Sequence, residues 1–206
     1  MDIELIDIYD SEMNLLGVAS KEQAHQEGLW HKIAMCWIIS EDGNLWLQQR
    51  SSQKQRRPNC LDTSCAGHIQ VGEAPKDAAL RMLHDDLGLK LKAHNLTKLF
   101  THKIVFDEGA FHNREFCPTY LLKTQAKLAD LKLDETQVTA VFEADIQDLM
   151  DLFFGDITGI EVKGIKLTKT GYKTEKKKIK KEDFFPHSDK YYQKLFSTVQ
   201  RFIDNQ

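Results

Sequence analysis

The chain has 206 residues, 41% of them hydrophobic and 29% charged, with a formal net charge of −3 at pH 7. That length and apolar content suffice for one well-buried core, so a single unit over residues 1–206 is the default expectation. Cys36, Cys60, Cys65 and Cys117 are too scattered for a disulfide framework or a paired metal motif, no apolar stretch reaches membrane-span length, and the acidic start MDIELIDIYD lacks the positive region of a signal peptide. The expectation is a cytoplasmic protein with no membrane partner, in a compartment that keeps thiols reduced.

Ile3 to Tyr9 alternates like a strand. His31 to Ser40 reads as a second strand, joined through Glu41-Asp42-Gly43-Asn44 to Leu45–Gln49; Asp-Gly between two apolar runs is a hairpin signal. A short strand follows at Leu61–Ala66. A helix opens at Pro75, where a missing N–H costs nothing, carries Ala78, Ala79, Met82, Leu83 and Leu87 at helical spacing, and stops at Gly88. Phe100–Phe106 and Phe111–Leu122 form another hairpin around Glu108-Gly109, and Val138–Phe142 is a strand. Residues 145–154 read as a helix with Ile146, Leu149, Met150 and Phe153 inward. Ser188 caps a last helix over 188–205, with Tyr192, Leu195, Phe196, Val199, Phe202 and Ile203 on one stripe. Strands interspersed with helices imply an α+β fold, an α/β/α sandwich whose mixed sheet is covered on both faces.

Between these last two helices the charge is uneven. Residues 162–181 hold nine lysines against one acid, Glu175, a net of +8, which leaves about −11 for the remainder. The alternation on either side of Thr170-Gly171 predicts a β-hairpin over 159–183, added to the main unit. Its lysines suit a solvated edge that resists further strand pairing. Nucleic acid is not the expected partner, because only Tyr172 interleaves the charges where a single-strand binder needs stacking rings.

The most informative stretch is Gly67 to Leu89, GHIQVGEAPKDAALRMLHDDLGL. Glu73 follows Gly67 after five residues and Arg81 follows Glu73 after seven. On the helix, Met82, Asp85 and Asp86 stand at i, i+3 and i+4 and share one face. Clustered carboxylates suit a hard divalent cation, whereas the thioether of Met82 does not.

This stretch resembles the signature of the Nudix hydrolases, metal-dependent enzymes that cleave diphosphates linked to another group. The resemblance implies the Nudix fold, Mg2+ or Mn2+ as cofactor, and a small molecule carrying a diphosphate, of nucleoside-diphosphate type, as substrate. It implies that Glu73 and Arg81 pair to tie loop to helix, and that the face of Asp85 and Asp86, with the backbone carbonyl of Gly67, holds the metal. Three glutamates of the family are here Met82, Asp85 and Asp86. A further carboxylate is therefore needed; Glu115 is the first candidate, with Glu108 and Glu135 in reserve, because a glutamate common before the strand at 138 is here Gln137.

Outside the motif, about residues 2 to 155 resemble the branch that includes type-1 isopentenyl-diphosphate isomerase. The residues concerned are DIYD at 7–10, His25 to His31, LQQRSSQK with Arg50 and Lys54, SCAGH at 64–68 and NREFCP at 113–118. Arg50 and Lys54 match positions that grip the diphosphate. His25, His31 and His68, with Glu115, match most of the isomerase's metal ligands, an alternative metal site suited to Zn2+ or Mn2+. The isomerase's cysteine is here Ala66, however, and Asn113 replaces one of its glutamates. The expected function is accordingly hydrolysis of a diphosphate linkage, reduced or specialised by the altered helix. The alternatives are a non-catalytic protein that binds a diphosphate ligand and, behind it, the isomerase. His84, His94, His102 and His187 carry no special reading, and the sequence leaves the oligomeric state open.

Overall fold

In the computed structural model, which describes residues 3–205, the strands all belong to one sheet. In chain order the elements are β1 (Leu5–Tyr9), β2 (Leu15–Ser20), α1 (Lys21–Glu27), β3 (Trp30–Ser40), β4 (Leu45–Arg50), β5 (Leu61–Asp62), β6 (Cys65–His68), α2 (Pro75–Leu87), β7 (Leu96–Glu108), β8 (Phe111–Thr124), β9 (Val138–Ala144), α3 (Ile146–Phe154), β10 (Ile160–Thr168), β11 (Gly171–Ile179) and α4 (Asp189–Asp204). Residues 1, 2 and 206 lie outside the described part.

The apolar run of β3 explains the layers. Ile33, Met35, Trp37 and Ile39 face one side and pack with α3 and α4; Ala34, Cys36 and Ile38 face the other and pack with α2. A strand buried on both faces reads as a continuous apolar run rather than an alternation. The expected three-layer arrangement follows directly. On α3 the inward set is Ile146, Leu149, Leu152 and Phe153; Leu152 takes the place expected for Met150, which is only partly buried. On α4 the stripe gains Tyr191, while Phe202 and Ile203 pack only partly.

The predicted hairpin of β3 and β4 opens into a fork. The two strands pair only where Ile39 meets Leu45. Beyond that point β6 pairs antiparallel with β3 from Cys36 to Ile33, and β5 pairs with β4 at Gln48 and Gln49. The predicted strand 61–66 is thus two strands, split at Thr63-Ser64. Ser64 secures the split: its hydroxyl donates to the Trp46 carbonyl and accepts from the Ile38 N–H. The other edge of β3 is covered by β8, parallel to it.

The basic hairpin is an extension of the sheet. β10 and β11 pair in continuous register from Ile160–Ile179 to Thr168–Gly171, and β10 also pairs with β9 over Lys163–Lys166. Lys163 stands opposite Lys176 and Lys166 opposite Lys173; Glu175 relieves the second pair, 3.4 Å from Lys166 and 3.3 Å from Lys173. Gly164 makes the close approach of β9 and β10 feasible, since any Cβ there would collide with the Val141 carbonyl and Phe142. Gly164→Val is expected to cost about 2–3 kcal/mol and lower the melting temperature by roughly 5–10 °C. An unchanged melting curve would contradict this pairing. No helix among the described residues is long and apolar enough to cross a membrane.

Candidate functional site

Three neighbouring strands and helix α1 carry the site on the α3/α4 face of the sheet. His31 on β3 is in register with Glu115 on β8, and His68 on β6 with Ile33 on β3. Cross-strand partners share a face, so His68, His31 and Glu115 lie on one face, with His68 two residues along β3 from the His31–Glu115 pair and strand spacings of about 5 Å. His25 comes from above, on α1. That helix was not foreseen, although its sequence marks it: Ser20 accepts from the Gln23 N–H at 3.1 Å, and Gly28 ends it with φ 67°. Phe111 stacks on the His25 ring at 4.3 Å.

One ligand atom from each of His25, His31, His68 and Glu115 lies within 4.8 Å of the others, the one such group of three or more among the described residues. His31 Nδ1–H donates to the Leu29 carbonyl at 2.9 Å, which leaves Nε2 with a lone pair 3.6 Å from a Glu115 oxygen. His25 Nε2 is 3.3 Å from His68 Nε2. Buried His31 Nε2 and His25 Nδ1 have no hydrogen-bond partner among the described residues. A divalent ion fits this donor set. Imidazoles with one carboxylate suit Zn2+ or Mn2+, and a carbonyl that accepts from the other ring nitrogen and so fixes the tautomer is what a ligating histidine requires.

The electrostatics of His25 and His68 favour neutral imidazoles able to accept an ion. Burial, then the nearby His31, lowers the His25 pKa to about 4. Burial, then Lys21 and the neighbouring imidazoles, holds His68 well below its ordinary value. For Glu115 burial acts upward, but the neighbouring His31, Asn113 and His25 side chains bring the carboxyl below its ordinary range.

On α2 the Nudix-like loop and helix are locked together. Arg81 donates twice to Glu73, both at 2.8 Å, and once to the His68 carbonyl at 3.1 Å. Gly67 lies directly under Met82, whose sulfur is 2.6 Å from where a Cβ would stand. Met82 is 5% exposed, so this position belongs to the core. Asp85 faces solvent and bonds His84 at 2.9 Å. Asp86 accepts from the Cys65 thiol at 3.6 Å, and burial raises its pKa to about 6.

Glu115 therefore does not join Asp85 and Asp86 as expected. Strand parity is the reason: Glu115 shares a face with Cys117, packed toward α3 and α4, whereas Cys65, the neighbour of Asp86, packs toward α2. The reserve acid Glu108 is held by Arg56 and Arg57 at 3.1 and 3.3 Å, and Glu135 lines a separate cleft with Ser51 and Thr168. Arg50 is also committed elsewhere. It donates to Asp62 at 3.0 Å and to the carbonyls of Arg57 and Arg56, and so braces the 51–60 loop. Lys54 is half-buried, donates to Gln137, and acts electrostatically on both Asp86 and His68. Burial lowers its pKa.

Residues 29–156 match the NUDIX domain family. Over 196 residues the chain is 32% identical to an uncharacterized Nudix hydrolase of Clostridium acetobutylicum, covering 93% of this chain and 95% of that one. It is 28% identical over 155 residues to an isopentenyl-diphosphate Delta-isomerase of Cutibacterium acnes, covering 72% and 77% of the two chains. Among solved structures, the DR0079 protein of Deinococcus radiodurans superposes with a TM-score of 0.59 at 18% identity, over 74% of this chain and 90% of that one. A MutT protein of Methanosarcina mazei gives 0.53 at 12% identity, over 84% and 95%. These two likenesses concern the fold.

Proposed function

The chain belongs to the Nudix family, and on that premise we propose that it is a divalent-metal-dependent hydrolase cleaving a diphosphate linkage in a small molecule, with the metal held by His25, His31, His68 and Glu115. The observation that carries this reading is the buried cluster of imidazoles and carboxylate, two of whose nitrogens lack a partner. A divalent ion bound there would polarise a diphosphate oxygen and acidify an attacking water. Lys54, which acts electrostatically on His68, would neutralise the diphosphate charge; its burial strengthens that interaction. Asp86, on the α2 face, interacts electrostatically with Lys54, and burial raises its pKa to about 6. Arg50 would act indirectly, by fixing the loop that presents Lys54.

The isomerase reading is disfavoured by Ala66 and Asn113, which stand where that enzyme needs cysteine and glutamate. A specific observation favours binding without cleavage as second reading: Met82 fills the space over Gly67, and Asp85 is turned to solvent. Phosphate release from a diphosphate panel, with Mg2+, Mn2+ or Zn2+, separates the two. Release is expected, and His31→Ala is expected to lose it. Tight binding without release under any of these metals would favour the second reading.

A further inference from the structure

We propose that the β1–β2 hairpin is a self-association surface, on which the same hairpin of a second copy of this chain packs about a two-fold axis. Ten large hydrophobic side chains are exposed among the described residues, and six of them, Ile3, Leu5, Met13, Leu15, Leu16 and Val18, fall between residues 3 and 18. Single exposed aliphatic residues are ordinary, but a gathered set marks a contact surface. Register gathers these. Cross-strand partners share a face, so Leu5 and Asp7 on β1 lie with Ser20 and Val18 on β2, and Leu15 joins them opposite Tyr9. Asp7 accepts from the Gly72 N–H at 3.1 Å, which brings exposed Val71 next to the same face.

The edge points the same way. Among the described strands β2 pairs only with β1, so its outer side is free. β7 and β11 also pair on one side only, and both are guarded by charge: Lys98 and Lys103 on β7, and Lys173, Lys176, Lys177 and Lys178 on β11. β2 is Leu-Leu-Gly-Val-Ala-Ser, without a charge or a proline, and its one guarding feature is the bulge opposite Tyr9.

These residues select a second copy as the occupant. A two-fold contact sets a patch against itself, so any charge within β2 would meet its own like; β2 has none. Antiparallel approach about Gly17 sets Leu16 against Val18 and Leu15 against Ala19, and brings Lys21 of one copy toward the Asp10–Glu12 turn of the other. An anionic surface is disfavoured, because Glu4, Asp7, Asp10 and Glu12 flank the apolar set. The area is adequate. At 44–70% exposure the six side chains offer roughly 350 Å2 of apolar surface per copy. A standard interface takes about 800 Å2 per partner, a little over half of it apolar, so the six supply most of that share.

Sedimentation velocity on the full chain at roughly 100 μM tests the proposal, with twice the chain mass as the expected result. Leu16→Lys and Val18→Lys, both at exposed positions, are each expected to weaken self-association about 100-fold or more. Val105→Lys, at a comparably exposed position on β7, should leave the dimer intact. In the wild-type chain, amide exchange in β2 should slow as the concentration rises into the dimer range while exchange in β11 stays constant, a readout independent of how well the variants fold. A monomer at this concentration, a dimer that survives both substitutions in β2 or is equally sensitive to Val105→Lys, or β2 amides indifferent to concentration would overturn the surface. A dimer that dissociates in about 0.5 M salt would also overturn it, and would assign the contact to the basic hairpin against the acidic remainder of the chain.

Discussion

Adding Mn2+ or Zn2+ to metal-free protein at pH 7 is expected to raise its melting temperature by roughly 5–10 °C, and His31→Ala is expected to abolish the gain. An ion that binds only the folded chain stabilises it by about 2.7 kcal/mol when present at about 100 times its dissociation constant, and each kcal/mol moves a domain of this size by about 2–4 °C. His31 is the sharpest probe because it is fully buried, its tautomer is fixed by Leu29, and its Nε2 faces Glu115. Asp85→Ala removes an exposed carboxylate on the opposite side of β6 and should leave the metal-dependent shift nearly intact. A shift that survives His31→Ala but is lost in Asp85→Ala would move the metal to the helix.

The same histidines should make the metal-free protein sensitive to acid. An unfolded histidine takes up its proton near pH 6.5, whereas folded His25 resists down to about 4. Its contribution is complete above pH 6.5, diminishes as the pH falls through that window, and is gone below 4. A shift of that size corresponds to about 3 kcal/mol. His68, His102 and His187 are lowered in the same sense, chiefly by burial. Asp86 acts oppositely: with a folded pKa of about 6 it takes up a proton before its unfolded counterpart, and so adds stability as the pH falls toward 3.8. Urea unfolding between pH 7.5 and 4.5 should therefore show a net loss, steeper in Asp86→Asn. A flat profile in that variant would contradict the buried neutral imidazoles.

How much of this was legible in the sequence depends on whether the signal was local. The α2 helix was readable because Pro75, Gly88 and the apolar spacing between them all lie within one element. The Glu73–Arg81 pair likewise lies within one loop and helix. The basic hairpin was readable from its alternation, but its union with β9 was not, since Gly164 discloses a close approach only when the partner strand is known. The fork between β3 and β4 was hidden for the same reason: a turn signal at Asp42-Gly43 fixes where two strands meet, not how far they remain paired.

The site shows the same division. His25, His31 and His68 were indicated by resemblance, whereas their convergence with Glu115 depends on the β3–β8 register. Assigning Glu115 to the aspartates required a strand parity that no local pattern contains. Arg50 looked like a free anion-binding group because backbone carbonyls, its actual partners, leave no mark in a sequence.

The most direct test of the metal assignment is X-ray absorption on protein loaded with one equivalent of Zn2+ or Mn2+, with His31→Ala in parallel. The expected result is an imidazole-rich coordination shell with a carboxylate oxygen, lost in His31→Ala. An all-oxygen shell unaffected by that substitution would contradict it and assign the ion to Asp85 and Asp86.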